Sequence, residues 1–251
     1  MKYLKKFNES LNESLKDIDS ICKEYGIENY TINGDGSIDV DGNVDLEYRA
    51  LSKLPLKFRS VSGNFECQNN QLTSLEGAPE FVGEDFICYN NQLTSLEGAP
   101  ESVGGDFDCY NNRLTSLKGA PKSVGVSFYC YNNQLTTLEG APRSVGGSFY
   151  CNNNQLTSLR GAPKSVDGGF NCDNNQLKSL EGAPEFVGGN FYCDGNPVES
   201  IWKLFKDYSK VEILNDYDVI RDNKVIIDRL NDFLIHIGKP PVSKVDGYIN
   251  I

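Results

Sequence analysis

Seven cysteines, at positions 67, 88, 109, 130, 151, 172 and 193, recur every 21 residues. A row of thiols could form disulfides, hold a metal or carry redox chemistry. Side chains stacked one per strand stand roughly 4.8 Å apart, farther than the ~3.8 Å Cβ separation of a disulfide. A straight row also cannot converge on one tetrahedral zinc ion. Free cysteine packs as a small hydrophobe, so the ladder is expected to be core. Asp106 and Asp108 flank one strand position on the same face. Neighbouring carboxylates can hold separated pKa values and act as an acid–base pair in hydrolysis, but that chemistry needs a water-excluding pocket. The oxygen-rich runs Asn33-Gly-Asp35-Gly-Ser37 and Asp39-Val-Asp41-Gly-Asn43 invite a calcium reading. Both lack the sixth-position Gly and twelfth-position Glu of a helix–loop–helix calcium site and read as turns. The Gly104-Gly105, Gly146-Gly147 and Gly188-Gly189 pairs precede strands rather than helices, so they are not phosphate cradles. His236, the sole histidine, sits in an apolar helical run and reads as a cap residue rather than a base. These residues call for no metal and no cofactor, and no catalytic residue is assigned.

The cysteines belong to a longer unit, for example Val82-Gly-Glu-Asp-Phe86-Ile-Cys88-Tyr-Asn-Asn91-Gln-Leu93-Thr-Ser-Leu96-Glu-Gly-Ala-Pro100. Phe-x-Cys alternates with period 2, which predicts a short strand burying Phe and Cys. Asn91 and its equivalents 70, 112, 133, 154, 175 and 196 sit where the chain turns, and a buried amide there can satisfy the backbone of the turn and of the next coil. Leu93 and Leu96 fill the core, and Gly-Ala-Pro imposes an extended return because proline fixes φ and restricts its predecessor. One such coil cannot bury its own apolar face, so coils must stack and be capped.

The positions Phe86, Cys88, Asn91, Leu93 and Leu96 reproduce the L-x-L-x-x-N-x-L-x-x-L spacing, and the chain resembles a leucine-rich repeat protein over residues 61–196. The 21-residue length and the Asn-Gln-Leu-Thr-Ser-Leu run are similar to a short-repeat class of bacterial effectors and of bacterial and phage reading frames. The resemblance implies an α/β solenoid with a parallel β-sheet on the concave face, non-helical convex returns and helical caps at both ends. Two departures stand out: Phe and Cys replace the strand leucines, and the return is too short and proline-bound for a helix. Some of those effectors carry a ubiquitin-ligase domain after the repeats. The 55 residues after Asn196 contain no cysteine, so that activity is not expected here.

Three regions follow: an N-terminal cap (1–60), seven repeats (61–196) and a helical C-terminal cap (197–251). Phe7, Leu11, Leu15, Ile18, Ile21, Cys22 and Tyr25 share one helical face, with capping-box spacing at Ser10–Glu13 and a stop at Gly26. Residues 29–46 predict β-hairpins turning at Gly34-Asp35-Gly36 and Asp41-Gly42, followed by a degenerate repeat through Leu51, Leu54, Pro55 and Phe58. At the other end, Ile201, Trp202, Leu204, Phe205 and the run from Val219 to Ile237 have a helical pattern.

The outward strand positions form three rows. The first is Asn64, Asp85, Asp106, Ser127, Ser148, Gly169, Asn190; the second is Glu66, Ile87, Asp108, Tyr129, Tyr150, Asn171, Tyr192. The third is Gln68, Tyr89, Tyr110, Tyr131, Asn152, Asp173, Asp194. Six of the 13 tyrosines and six carboxylates lie in these rows, and none of the seven lysines and arginines of residues 61–196 does. Strand propensity alone explains aromatics, but not their centring on a few strands with every cation excluded. The reading is a non-catalytic face that binds a protein carrying a basic or mixed patch. Its candidate residues are Asp85, Ile87, Tyr89, Asp106, Asp108, Tyr110, Tyr129, Tyr131, Tyr150 and Tyr192. A glycan or polar small-molecule binder is the alternative, and a carboxylate hydrolase stands behind it.

Return-segment charges alternate in sign from coil to coil, through Glu97, Lys118, Glu139, Arg160 and Glu181, which favours register rather than a site. The net charge of −11 disfavours nucleic acid and anionic membranes. No run of 18 apolar residues occurs. The start MKYLKKFNESLNESLKD lacks a secretory pattern, and eight cysteines without one predict free thiols in a cytoplasm, the host's if the chain is phage-encoded.

Overall fold

The computed structural model describes residues 17–221 and 224–251. Phe7, Leu11, Leu15 and the Ser10–Glu13 cap lie outside the described residues. Helix α1 covers 17–25, burying Ile18 and Cys22, and it stops at Gly26, whose φ is 68°.

Each coil then contributes two short strands, of two residues each from β5 onward. The outer-row strands are β3 (Val44–Asp45), β5 (Phe65–Glu66), β7 (Phe86–Ile87), β9 (Phe107–Asp108), β11 (Phe128–Tyr129), β13 (Phe149–Tyr150), β15 (Phe170–Asn171) and β17 (Phe191–Tyr192). They pair in parallel, in sequence order, as an eight-stranded sheet. A second sheet runs β1 (Tyr30–Ile32), β2 (Ile38–Val40), β4 (Phe58–Val61), β6 (Phe81–Val82), β8 (Ser102–Val103), β10 (Ser123–Val124), β12 (Ser144–Val145), β14 (Ser165–Val166) and β16 (Phe186–Val187). The extended return therefore pairs as well, burying Val82, Val103, Val124, Val145 and Val166. A two-residue Ser-Val strand is too short to leave a periodic signal, so nothing in the sequence marked it.

Parallel strands keep identical residues in register, so like side chains stack. Phe65, Phe86, Phe107, Phe128, Phe149, Phe170 and Phe191 form a spine of near-parallel rings with centroids 5.1–5.6 Å apart. Phe58 closes it edge-on at one end, and Trp202 and Tyr208 close it at the other. Cysteines 67 to 172 and the paired leucines from 72 to 180 are fully buried beside the spine. All eight cysteines are free and buried, and burial pushes the thiols of the ladder well above their ordinary range.

The buried asparagines join successive coils. Asn133 Nδ2 donates to the carbonyls of Cys130 in its own coil and Cys109 in the preceding one, both at 3.1 Å. Its Oδ1 accepts the Leu114 N–H at 3.0 Å. Asn70 through Asn196 repeat the arrangement, which satisfies backbone groups that two-residue strands cannot reach. The coil reached is the preceding one. The residue before each ladder asparagine is also Asn from 69 to 174, with φ of 52–56°. Asn tolerates this left-handed conformation better than other side chains. On the return, Gly140 has φ 93°, and a Cβ there would meet the Leu117 carbonyl oxygen at 2.5 Å, so the turn admits only glycine.

The ends differ from expectation in two places. β1 and β2 form the first hairpin, but Asp41-Gly42 is no hairpin turn: it is a corner between the sheets, and β3 pairs in parallel with β5. Val44 and Leu46 occupy the Phe and Cys places, so the ladder reaches N-terminally to β3, while Ile38 pairs with Phe58 in the second sheet. The C-terminal segment contains α2 (Glu199–Phe205), α3 (Val211–Asp216), β18 (Ile220–Arg221), β19 (Lys224–Val225), α4 (Ile227–His236) and β20 (Ile249–Asn250). Residues 219–226, expected to be helical, instead include two strands, because the β-branched pairs Val219-Ile220 and Val225-Ile226 favour extended backbone. Ile201, Trp202 and Phe205 seat α2 on the last coil, and the Tyr248 hydroxyl donates to the Lys178 carbonyl at 2.8 Å.

Two outcomes follow from this packing. Asn133→Ala strands the Leu114 N–H and two carbonyls, and is expected to cost about 2–4 kcal/mol in chemical denaturation. A chromogenic thiol reagent at neutral pH should titrate none of the eight cysteines in the folded protein and all eight in guanidinium.

Candidate functional site

Because register is fixed, the outer face of the eight-stranded sheet is built row by row. In the first row each short side chain accepts the backbone N–H of the next coil. Asn64 Oδ1 takes Asp85 N–H at 3.0 Å, Asp85 Oδ1 takes Asp106 N–H at 2.7 Å, and Asp106 Oδ1 takes Ser127 N–H at 2.7 Å. Ser127 and Ser148 continue the chain to Gly169. Asp85 and Asp106 thus each commit one carboxylate oxygen to structure, a task legible only in retrospect from the row's run of short acceptors.

The tyrosines form two adjoining stacks. Tyr89, Tyr110 and Tyr131 lie in the third row with ring centroids 4.4 Å apart at each step and planes within 11°. Tyr129 and Tyr150 stack in the second row at 5.0 Å and 5°. All five rings are half-buried and remain on the outer face. Burial raises the phenol pKa of Tyr110, Tyr129 and Tyr131. Tyr192 stands apart: Asn171 separates it from Tyr150, it is 43% exposed, and its hydroxyl accepts from Asn190 Nδ2 at 2.8 Å. The structure therefore brings together nine of the ten candidate positions and leaves Tyr192 outside the stacks.

Asp108 is the exception within this face. It pairs in register with Ile87 on one side and Tyr129 on the other. Its Oδ1 is buried with no hydrogen-bond partner, and no ion pair reaches it among the described residues. Burial, then the charges of Asp106 and Asp85, push its pKa up to about 7. Asp106 lies two residues before it in the same coil, and two grooves of the molecule lie elsewhere. One follows the second sheet past Asp39, Ser60 and Phe81, and another lies against the C-terminal cap at Asn196, Lys203 and Lys244.

Four ion pairs of the repeats lie away from the face. Lys118–Glu97, Lys122–Glu101, Arg160–Glu181 and Lys164–Glu185 link the returns of neighbouring coils at 2.5–3.1 Å, all exposed. The oxygen-rich N-terminal turn is likewise engaged. Asp35 accepts from Ser37 and Lys57, and Asp39 from Arg59 and Ser60, so turn chemistry accounts for these residues. His236 ends α4 in a 2.7 Å hydrogen bond with the Tyr217 hydroxyl.

Twenty-one-residue coils, a parallel strand in each, buried apolar residues at the repeat positions and an asparagine ladder at the turn decide the family of folds. The chain is a leucine-rich-repeat solenoid. No family model matches it, and no curated protein matches it. Among solved structures the solenoid is similar to YopM, a leucine-rich effector protein from Yersinia pestis, at 22% identity and a TM-score of 0.40. The likeness covers 61% of this chain and 49% of YopM, so it spans about half of that protein.

The Asp108 carboxyl gives this leucine-rich-repeat face a measurable pH signature. Its folded pKa lies above the ordinary 3.8, so the folded protein holds that proton more tightly than the unfolded chain. The stabilising contribution is complete below about pH 4 and is lost as pH rises through about 7. Asp108→Asn should match the wild type near pH 4 and exceed it by about 1–3 kcal/mol at about pH 8. Urea midpoints measured at both pH values check this, and a difference that ignores pH would assign the titration elsewhere.

Proposed function

We propose that this leucine-rich-repeat chain is a non-catalytic protein-binding module whose tyrosine-bearing face takes a partner with a basic or mixed patch. One observation carries the reading: five tyrosine rings stack in two adjoining ladders on neighbouring strands, in rows that contain carboxylates and no lysine or arginine. Tyrosine offers broad contact area for few rotatable bonds and is enriched at interface hot spots. Here the stacking has already removed much of the entropy a partner would otherwise have to freeze. The acidic residues would speed the approach of a basic surface at low salt.

Stacking also argues against the glycan reading. Sugars pack on open ring faces, whereas Tyr110 has a ring 4.4 Å away on each side. The hydrolase reading fares no better, since Asp106 gives one oxygen to the Ser127 amide. Nucleic acid is disfavoured by the charge of −11, and no helix among the described residues is long and apolar enough to cross a membrane. Eight free thiols suit a reducing cytoplasm. The short-repeat resemblance fits a bacterial or phage factor that sequesters a cytoplasmic protein.

The test is affinity capture with mass spectrometry. Immobilised wild type should retain a protein that Tyr129→Ser/Tyr150→Ser loses and that Glu139→Ala on a return still retains. Circular dichroism establishes that all three are folded. Equal retention by all three would remove the face from the function.

A further inference from the structure

Within the second row, the side chains read Ile87, Asp108, Tyr129, Tyr150, one per strand. Asp108 is much shorter than Tyr129, so the row dips beside that ring. Tyr150 covers one face of the Tyr129 ring, and the other face turns toward the Asp108 strand. The floor of the dip is a carboxylate with no hydrogen bond or ion pair among the described residues and one oxygen wholly buried. Ile87 flanks Asp108 on the other side, while Asp106 and Tyr110 lie two residues away in the same coil. Other acids of this face are engaged: Asp85, Asp106 and Asp173 each accept a backbone N–H of the next coil, and Glu66 accepts from Asn64 and Gln68. Among the described residues, Asp108 is the acid of this face that has a buried carboxylate oxygen and no partner.

We propose that this dip is a socket for an arginine side chain of the protein partner. The guanidinium lies flat between the Tyr129 ring and Ile87 and donates to the Asp108 carboxylate. The inference rests on the protein-binding reading above and names the residue that reading leaves open. Charge complementarity selects a cation, since the socket holds carboxylates and the rows hold no lysine or arginine. Shape selects arginine over lysine. A planar guanidinium stacks on an aromatic face while its N–H fork engages a carboxylate, whereas an ammonium is a compact and strongly hydrated point charge. The site is prepared at a cost in the free protein: burial and the charges of Asp106 and Asp85 hold the carboxyl near pH 7, and an arriving cation relieves that penalty.

The probe is a displayed library of random dodecapeptides selected on the folded full chain at about pH 8, where Asp108 is ionised. Selected peptides should share an arginine. Its replacement by citrulline, which keeps the shape and loses the charge, should weaken binding at least about tenfold. Asp108→Asn, expected to fold at least as stably as wild type, should weaken the same peptides comparably and leave little further loss on citrulline replacement. Peptides that need Tyr129 and Tyr150 but carry no arginine, or that bind Asp108→Asn undiminished, would overturn the socket while leaving the face as the binding surface. Peptides indifferent both to Asp108→Asn and to Tyr129→Ser/Tyr150→Ser would overturn the socket and the face together.

Discussion

A buried primary amide, repeated once per coil, holds this molecule in register. Strands of two residues make few ladder bonds of their own, and the turn that follows leaves an N–H and two carbonyls inside the protein. Asn133 and its equivalents answer all three with one side chain, bridging a coil to its predecessor. No other short side chain carries two donors and an acceptor on a neutral group. Once that bridge recurs every 21 residues, the separation of coils is set by backbone hydrogen bonding at roughly 5 Å. The parallel phenylalanine spine, the thiol row and the tyrosine stacks are consequences of that spacing.

Exact repetition brings like next to like, which suits apolar groups and burdens charged ones. Adjacent coils would set carboxylate against carboxylate, and the molecule meets this in two ways. On the returns, acid and base alternate, so Glu97 meets Lys118 and Arg160 meets Glu181. On the outer sheet, Asp85 and Asp106 stand in consecutive coils, and each is held by the next coil's amide hydrogen instead of by a cation. Asp108 receives neither remedy. It is two residues from one acid, one coil from the other, and partly desolvated, which is why its carboxyl resists ionisation until about neutrality.

Much of the fold was legible because the repeat is long and its positions differ in chemistry. Phe and Cys at period 2, Asn at the turn and Leu-x-x-Leu below it each had one physical reading, and the thiols lie where that reading puts them. What escaped was whatever depends on two residues only. Ser102–Val103 and its equivalents form most of a second sheet, yet a dipeptide carries no periodicity. Asp41-Gly42 resembles a hairpin turn and is a corner, because the choice depends on whether β3 finds its partner before it in the chain or after it. The run from Val219 looked helical by spacing, and its β-branched residues went instead into a small sheet. Of the face, the outward rows could be read from alternation alone. The backbone bonds of Asp85 and Asp106, the separation of Tyr192 and the isolation of Asp108 required neighbours in space.

The distribution of charge between returns and sheet bears on purpose as well as on folding. Exposed ion pairs such as Lys122–Glu101 add at most about 1 kcal/mol each, so the pairing on the returns does more for alignment than for stability. The same lysines and arginines, placed in the outer rows, would have neutralised Asp108 and removed its desolvation cost. A scaffold shaped by stability alone would place a cation, or simply an asparagine, beside Tyr129. Keeping a half-buried, unpaired carboxylate there instead makes the free face less stable than it could be, a trade that proteins make where a surface must meet something else. The cost falls where the aromatic stacks and the acidic rows meet, and above neutral pH it would be relieved by a positive charge that no lysine or arginine among the described residues supplies.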